Sequence, residues 1–367
     1  MKKTIFIFSF IVILVLLPLI LSCNAAPPTT IPSPPPTIEL TYSNFFPPTH
    51  LNSVLAQKFC DEIKARSKGR VNITLYSGGT LTPAPQVYDG VVNGLSDIGM
   101  SVLSYTVGRF PASELVDLPH GYVNGWVATK VANDFYNEFK PKEFDQVHVL
   151  YFHAHGPSVV FATKKPVRQM DDLKGLVIRS TGVGSKIIEA LGAKGYGASQ
   201  GDAYDLMSKG TIDGSYTPRE TLKGWKQAEI VKYVTECIDV GSTANMFVVM
   251  NKARWDSLPS DIKEIFTQVS NEWIDKHGKV WTYYDKAGIE YFLTFDGREL
   301  IKLSPDEMTK WVNATQSLKD SYIAERNAKG LPADRYEQFL VEKAKSWASK
   351  SPSDQTCEEF VKTELQK

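Results

Sequence analysis

The chain has 367 residues, of which 43% are hydrophobic and 22% are charged, so it has the composition of an ordinary folded protein but is too long for one average domain. Its 41 lysines and arginines balance its 41 aspartates and glutamates, and no basic run with interleaved aromatic residues occurs. We therefore expect two domains and no nucleic-acid partner.

The first 22 residues have the pattern of a secretory signal peptide. Lys2 and Lys3 precede an uncharged apolar run over residues 5–21. Because this run approaches the ~17 residues that a tilted membrane helix needs, a plain membrane anchor is the alternative. Pro18 and the residues that follow favour cleavage. The pattern predicts an exported protein.

The apolar run ends in Ile20-Leu21-Ser22-Cys23, which resembles a bacterial lipobox. This predicts that Cys23 is lipidated, becomes the mature N-terminus and anchors the protein in the periplasm or at the outer face of the cell membrane. The proline-rich residues up to 37 cannot build a core and should form an extended tether. A surface-anchored enzyme also fits such a tether.

Three cysteines remain for the folded region, at positions 60, 237 and 357, with no C-x-x-C spacing. At most one disulfide can form among them, and the sequence does not say which. Buried thiols that pack as small hydrophobic groups are the alternative.

Strands and helices alternate from residue 37 onward. Residues 37–41, 71–75 and 97–102 have the alternation of strands, and residues 52–66 and 86–93 have helical spacing. This order predicts a mostly parallel sheet with helices on both faces.

One pattern occurs twice. Tyr88-Asp89-x4-Gly94-x2-Asp97 returns with identical spacing as Tyr204-Asp205-x4-Gly210-x2-Asp213. Each copy is the end of a helix, a glycine suited to a left-handed C′ position and an aspartate that enters a strand. We interpret the copies as equivalent parts of two similar α/β domains. Ligands collect beyond the carboxyl ends of such strands, so residues 101–105 and 215–218 should line a cleft, unless they are ordinary loops.

The remaining elements connect and extend the two domains. Residues 148–155 should be a strand that leaves the first domain for the second. Ser260 should cap a long helix that reaches about Leu293 and spans both domains. Residues 304–327 and the last thirty residues should be helical. The predicted divisions are a signal peptide (1–22), a tether (23–37), domain I (38–155 with about 245–290), domain II (156–244 with about 291–330) and a C-terminal helical extension (331–367).

Catalytic motifs are missing from the sequence. His153 and His155 would share one face of a strand, as a metal pair does, but no third ligand stands at a telling spacing. No H-E-x-x-H, G-x-S-x-G or phosphate-binding glycine loop occurs. We therefore predict no catalytic residue, no metal and no cofactor, and keep a metal-dependent enzyme that uses the two histidines as the alternative.

The strongest local signal surrounds Arg179. An apolar strand over residues 176–178 ends in this arginine, and a glycine-containing loop leads to a helix that should start near Ser185. A guanidinium beside a helix N-terminus can bind a carboxylate through charge-assisted hydrogen bonds. From spacing alone, a surface ion pair explains Arg179 equally well.

Several segments together resemble the DctP-type solute-binding proteins of tripartite ATP-independent periplasmic (TRAP) transporters. The resemblance covers roughly residues 38–330. Its segments are Lys165-Pro-Val, Asp171-Asp-Leu-Lys-Gly, Ile178-Arg179, Ala190-Leu-Gly-Ala193, Ala203-Tyr204, Gly210, Asp213-Gly214, Pro218, Asn251-Lys and Trp255-Asp-Ser-Leu-Pro259.

The resemblance implies a periplasmic-binding-protein-like fold of two α/β domains, joined by crossing strands and a long spanning helix. It implies closure of the two domains on an organic acid, and a membrane partner with a small and a large integral subunit, driven by an ion gradient. Arg179 falls where the family has its carboxylate-binding arginine. A ligand-sensing subunit for a membrane receptor is the alternative to transport.

Two departures bear on the ligand. Val159 stands where many members have a second arginine, and Thr217 stands where many have asparagine. A second carboxylate on the ligand would therefore have fewer binding partners, which favours a monocarboxylate such as a keto, hydroxy or aromatic acid over a C4-dicarboxylate. Besides Arg179 and Thr217, position along the chain suggests further ligand-binding residues, each with core packing as its alternative: Phe45, Phe46, Ser101, Tyr105, His155, Trp225, Asn245 and Phe247.

Overall fold

The computed structural model describes residues 37–366. The predicted signal peptide, the lipidation of Cys23 and the tether fall outside these residues, apart from residue 37. The first part of the chain forms β1 (Ile38–Asn44), α1 (Leu51–Arg66), β2 (Val71–Tyr76), α2 (Val87–Val92), β3 (Ile98–Val102), α3 (Gly125–Phe139) and β4 (Val147–Ala154).

The second part of the chain continues the alternation and ends in helices. Its elements are β5 (Val159–Ala162), β6 (Val177–Ser180), α4 (Gly182–Ala190), β7 (Lys194–Gly197), α5 (Gln200–Ser208), β8 (Gly214–Thr217), α6 (Thr221–Gly224), β9 (Tyr233–Glu236), β10 (Asn245–Asn251), α7 (Lys252–Ser257), α8 (Ser260–Phe292), β11 (Glu299–Lys302), α9 (Pro305–Ala328), α10 (Ala333–Ala348) and α11 (Asp354–Glu364).

The strands form two sheets. The first has the order β2-β1-β3-β10-β4, with β10 antiparallel to both neighbours, and the second has the order β11-β9-β5-β8-β6-β7, with β5 antiparallel to both neighbours. The chain crosses from one sheet to the other between β4 and β5, between β9 and β10, and through α8. The predicted α/β fold with crossing strands is therefore confirmed, whereas the residue limits of the two domains stay a prediction.

The repeated pattern marks equivalent positions in the two sheets. Gly94 and Gly210 have φ angles of 71° to 76° and end their helices in the left-handed conformation that glycine adopts without strain. The carboxylate of Asp97 accepts a hydrogen bond from the backbone N–H of Thr41, and that of Asp213 accepts one from Val177. In both copies the aspartate thus fastens its strand to the neighbouring parallel strand.

Helix α8 is 33 residues long and ends within one residue of the predicted position. It contacts both halves of the molecule, because Trp273 donates from Nε1 to the carbonyl of Leu55 and Asp285 accepts from the backbone N–H of Glu220. The predicted cap is wrong: Pro259 occupies the N-cap position, and Ser260 is the first helical residue without a capping side-chain bond. Pro259 makes no side-chain capping bond either. The acidic Asp261 lies in the first turn as predicted, where a negative charge interacts favourably with the helix dipole.

The C-terminal helices pack onto this frame. Helix α10 lies against α3, and α11 lies against α8 through the buried Cys357 and Val361. Cys60, Cys237 and Cys357 are all buried free thiols, as the alternative to a disulfide predicted. Among residues 37–366, no helix is both long enough and apolar enough to cross a membrane.

Candidate functional site

A cavity with about 490 Å³ of empty space lies at the carboxyl ends of four strands. Phe45 and Phe46 follow β1, Val102 ends β3, Ser180 ends β6 and Thr217 ends β8, and all five line the cavity. This is the position where open α/β sheets bind ligands. Seven of the ten predicted ligand-binding residues are on its wall, namely Phe45, Phe46, Tyr105, His155, Arg179, Thr217 and Trp225.

Arg179 is the basic side chain of this wall. It is 4% exposed, donates from Nε to the carbonyl of Ala198 at 3.0 Å and donates from Nη1 to Oε1 of Gln200 at 2.8 Å. No carboxylate of residues 37–366 lies within ion-pair distance of it; the hydroxyl of Tyr105 is a further polar neighbour, and the charge of Asp202 acts on it from further away. Burial lowers the pKa of Arg179 from its usual value, which the nearby Tyr105 hydroxyl partly offsets. The guanidinium is fixed by neutral groups and keeps an unpaired charge.

Gln200 holds the arginine in place, and the sequence reasoning missed it. Its Oε1 accepts from Arg179 and from the hydroxyl of Thr217, which fixes the orientation of the amide because both partners donate. Its Nε2 is fully enclosed and has no hydrogen-bond partner in the described residues. The sequence held one signal for this position, since Gln200 opens the helix of the second repeated unit.

Tyr105 joins the two sheets at the cavity. It follows β3 of the first sheet, and its hydroxyl accepts from the backbone N–H of Gln200 at 2.9 Å. Burial raises the pKa of Tyr105, so the hydroxyl stays neutral and can donate a hydrogen bond in turn.

Helix α4 directs its first turn at the same space. It begins at Gly182, three residues before the predicted start, because the glycine-containing loop is itself helical. Thr181 is its N-cap and makes no capping side-chain bond, and both Thr181 and Gly184 line the cavity. The first backbone N–H groups of a helix lack intrahelical acceptors and attract anions.

Aromatic rings form the opposite part of the wall. The ring centroids of Phe45 and Trp225 are 6.2 Å apart with an angle of 19° between the planes, and Phe45 also stacks on Phe46 at 4.3 Å and meets the edge of Tyr105 at 5.7 Å. Nε1 of Trp225 is enclosed without a partner in the described residues. Such a group of rings suits a flat apolar ligand body.

The two histidines of β4 and its extension have different surroundings. His155 lines the cavity, its Nδ1 lies 2.6 Å from the carbonyl of Gly156, and burial lowers its pKa to about 4. His153 stacks on His277 at 4.3 Å and accepts from Nε1 of Trp281. Within residues 37–366, no three His, Cys, Asp or Glu side chains are grouped as metal ligands would be.

Three predicted residues lie outside the cavity wall. Ser101 donates to the carbonyl of Ala84, Phe247 packs in the core against Tyr88, and Asn245 binds Asp117 through its backbone N–H. The reason is the two-residue period of a strand. Val102 and Met246 face the cavity, so their neighbours on the same strands face away from it.

The model of the bacterial extracellular solute-binding proteins, family 7, matches residues 42–326. A crystal structure of a TRAP periplasmic solute-binding protein from Desulfovibrio salexigens is 31% identical, with a TM-score of 0.75, and the match covers 86% of this chain and 98% of that one. In that structure, which is an open complex, the C-terminus of a symmetry mate is bound in the ligand-binding site.

Two further relatives have named ligands. A TRAP solute-binding protein from Rhodoferax ferrireducens, crystallised with copurified benzoate, is 25% identical with a TM-score of 0.81, and the match covers 85% of this chain and 99% of that one. A monocarboxylate 2-oxoacid-binding periplasmic protein of Nostoc sp. is 22% identical over 361 residues, or 93% of this chain and 94% of that protein.

Proposed function

The chain belongs to family 7 of the bacterial extracellular solute-binding proteins, the binding proteins of TRAP transporters, and we propose that it captures a small monocarboxylate with Arg179. Its relatives are transport receptors, so the chain is an extracytoplasmic binding protein and not an enzyme. The metal-dependent enzyme that uses His153 and His155 is thereby excluded.

The unpaired charge of Arg179 carries this proposal. Burying a guanidinium costs several kcal/mol unless an opposite charge compensates it. Within the described residues Arg179 has neutral hydrogen-bonding neighbours and no carboxylate at ion-pair distance. A ligand carboxylate would supply the missing charge and accept from Nη2, from Nε2 of Gln200 and from the first turn of α4.

A single carboxylate fits the cavity better than two. Of the residues that line it in the described chain, Arg179 alone is a lysine or arginine. Val159, where many family members have a second arginine, is a buried residue of β5 paired with Thr217. A C4-dicarboxylate would therefore leave one charge buried and unpaired, which is costly.

The aromatic wall supports an aromatic acid as the ligand. Phe45, Phe46, Trp225 and Trp281 line the cavity, and a relative of similar fold binds benzoate. The Nostoc relative supports the second candidate, a 2-oxo acid. The 2-oxo oxygen of such an acid would accept a hydrogen bond from the side-chain Nε2 of Gln200, which has no partner in the described residues. Both candidates use Arg179 in the same way.

Ligand binding should be coupled to closure of the two halves. The wall combines Phe46 and Tyr105, which follow strands of the first sheet, with Arg179 and Thr217 of the second, so a bound acid would bridge the halves. The closed form would then deliver the acid to the integral membrane subunits of a TRAP transporter, with a lipid at Cys23 keeping the protein at the membrane. A sensing role, in which the closed form binds a receptor instead, remains the second candidate, and neighbouring genes for two membrane subunits would favour transport.

A thermal-shift screen of the purified protein against mono- and dicarboxylates tests the proposal, because a ligand that binds only the folded state raises the midpoint by mass action. We expect shifts with monocarboxylates that vanish in Arg179→Ala. Arg168→Ala, which removes an exposed arginine paired with Glu299, is the matched control and should keep them. The absence of any shift, with no retained ligand found by mass spectrometry of the denatured protein, would contradict the proposal.

A further inference from the structure

The cavity wall also contains a carboxylate that neither the sequence reasoning nor the family relationship assigned. Glu220 is 2% exposed and stands three residues after the end of β8. Its Oε2 is 3.0 Å from Nε2 of His50, whereas no hydrogen bond of its Oε1 is recorded within residues 37–366. One oxygen of Glu220 is thus left for a ligand.

The histidine beside Glu220 does not neutralise it. Nδ1 of His50 accepts a hydrogen bond from the backbone N–H of Asn52 at 3.2 Å and so carries no proton. The ring proton must be on Nε2, which donates it to Glu220, and the imidazole is neutral. No lysine or arginine of the described residues forms an ion pair with Glu220, so the N–H of His50 is its side-chain hydrogen-bond partner there.

The surroundings hold this pair in a fixed place. A Cβ atom on Gly224 would lie 2.5 Å from Nε2 of His50 and 2.6 Å from Oε2 of Glu220, so only glycine leaves room for the bond between them. The ring of Phe46 stacks on that of His50 at 4.4 Å. Of these neighbours, Phe46 belongs to the aromatic part of the cavity wall, whereas Arg179 contacts Ala198 and Gln200.

We propose that Glu220 determines specificity, and that the ligand of Arg179 carries a hydrogen-bond donor, a hydroxyl or amino group, which binds Glu220. This inference rests on the proposed function of Arg179. A donor on the ligand would satisfy Oε1 with a charge-assisted hydrogen bond, and a second carboxylate at this end would meet like charge in a buried site. The acid is therefore a hydroxy- or amino-substituted monocarboxylate.

Titration calorimetry with a series of substituted benzoates tests whether Glu220 binds a donor group of the ligand, because the members of the series differ only in one substituent. We expect meta- or para-hydroxybenzoate to bind about tenfold more tightly than the methylbenzoate of the same shape. The corresponding aminobenzoates distinguish an amino from a hydroxyl donor. The corresponding benzene dicarboxylates should not bind measurably.

Glu220→Gln removes the charge while its amide oxygen can still accept from His50. In this variant we expect the preference for hydroxybenzoate over methylbenzoate to fall below about threefold and the dicarboxylate to become a ligand. Glu290→Gln, an exposed change on α8, is the control and should change none of these.

The two proposals fail separately. If no benzoate binds the wild-type protein, or if Arg179→Ala leaves binding unchanged, the proposed function is contradicted. If benzoates bind through Arg179 but hydroxyl, amino and methyl groups are equivalent and Glu220→Gln alters nothing, only the role of Glu220 is overturned.

Discussion

The polar and the aromatic parts of the cavity wall differ in what they lack. On the polar part, Arg179 and Gln200 are fixed by hydrogen bonds, yet in the described residues Arg179 has no ion-pair partner and Nε2 of Gln200 has no acceptor. On the aromatic part, Phe45, Phe46 and Trp225 pack on one another, and within the described residues the indole N–H of Trp225 and Oε1 of Glu220 have no hydrogen-bond partner. The polar part lacks an opposite charge, whereas the aromatic part lacks single hydrogen-bond partners.

This difference predicts separate contributions to binding. A ligand that supplies the missing charge on the polar part recovers a large desolvation cost, whereas a ligand on the aromatic part adds buried apolar area in proportion to its size. The polar part should therefore decide whether an acid binds, and the aromatic part should decide which acid binds best.

The largest effect should come from removing the guanidinium. We expect Arg179→Ala to weaken binding of every monocarboxylate about 30-fold or more, because the buried ligand carboxylate loses its charge partner. Arg179→Lys should recover only part of this loss, since lysine lacks the planar fork that bonds Gln200 and the ligand together. Calorimetric affinities would measure both, and wild-type affinity in Arg179→Ala would contradict the site assignment.

The next largest effect should come from giving Arg179 an internal partner. Gln200→Glu places a carboxylate where Oε1 now accepts from Nη1, so we expect about tenfold or weaker binding and a higher unfolding midpoint of the unliganded protein. Gln316→Glu adds the same charge on exposed α9 and should do neither. A rise in midpoint without loss of affinity would mean that the free charge of Arg179 is not what the ligand compensates.

A smaller and more selective effect should follow on the aromatic part. We expect Trp225→Ala to weaken benzoate binding about fivefold, through lost ring contact, and to change pyruvate binding less than twofold. Trp347→Ala removes an aromatic residue of α10 that does not line the cavity and should change neither affinity. Equal losses for benzoate and pyruvate would remove the distinction between the two parts of the wall.

The last expected effect is on stability and not on ligand affinity, and it concerns α8, the helix that contacts both halves of the molecule. Burial raises the pKa of Asp285 to about 6, above the value near 4 of the unfolded chain. The folded state therefore binds more protons than the unfolded state between about pH 4 and 6, and this carboxyl lowers stability as pH rises through that range.

Asp285→Asn should remove this pH dependence. We expect the variant to gain on the order of 1–3 kcal/mol of unfolding free energy over the wild type at pH 7 and no gain at pH 4, because asparagine is neutral at both. Denaturant unfolding at the two pH values would measure this. Asp296→Asn changes an exposed loop residue and is the control. Its unfolding free energy should match that of the wild type at both pH 4 and pH 7.

Much of the fold was predictable because its signals are local. The spacing of apolar residues predicted α1, β2, β3 and the length of α8, and the repeated Tyr-Asp-Gly-Asp pattern identified matching units in both sheets. The errors were also local in kind. Pro259, and not the predicted Ser260, occupies the N-cap position of α8, and the loop before Ser185 continues α4 back to Gly182.

The lining of the cavity was only partly predictable. Arg179 lies on it, as expected where a strand end, a loop and a helix start follow one another, and Tyr105 and Thr217 lie on it, as expected from the repeated unit. Ser101, Asn245 and Phe247 do not line it, because the period of a strand is visible in a sequence but the face that meets a cavity is not. Ligand binding by the lining residues stays a prediction.

The sequence by itself thus determined the order of elements, the equivalence of two units and the position of one arginine at a strand end, since each depends on residues a few positions apart. The tertiary structure alone decided that Gln200 holds Arg179 and that His50 meets Glu220, 170 residues further along the chain. Such contacts depend on sheet register and on the crossings between sheets, which arise from packing of the whole chain. The sequence near either residue therefore contains no periodic pattern that would predict them.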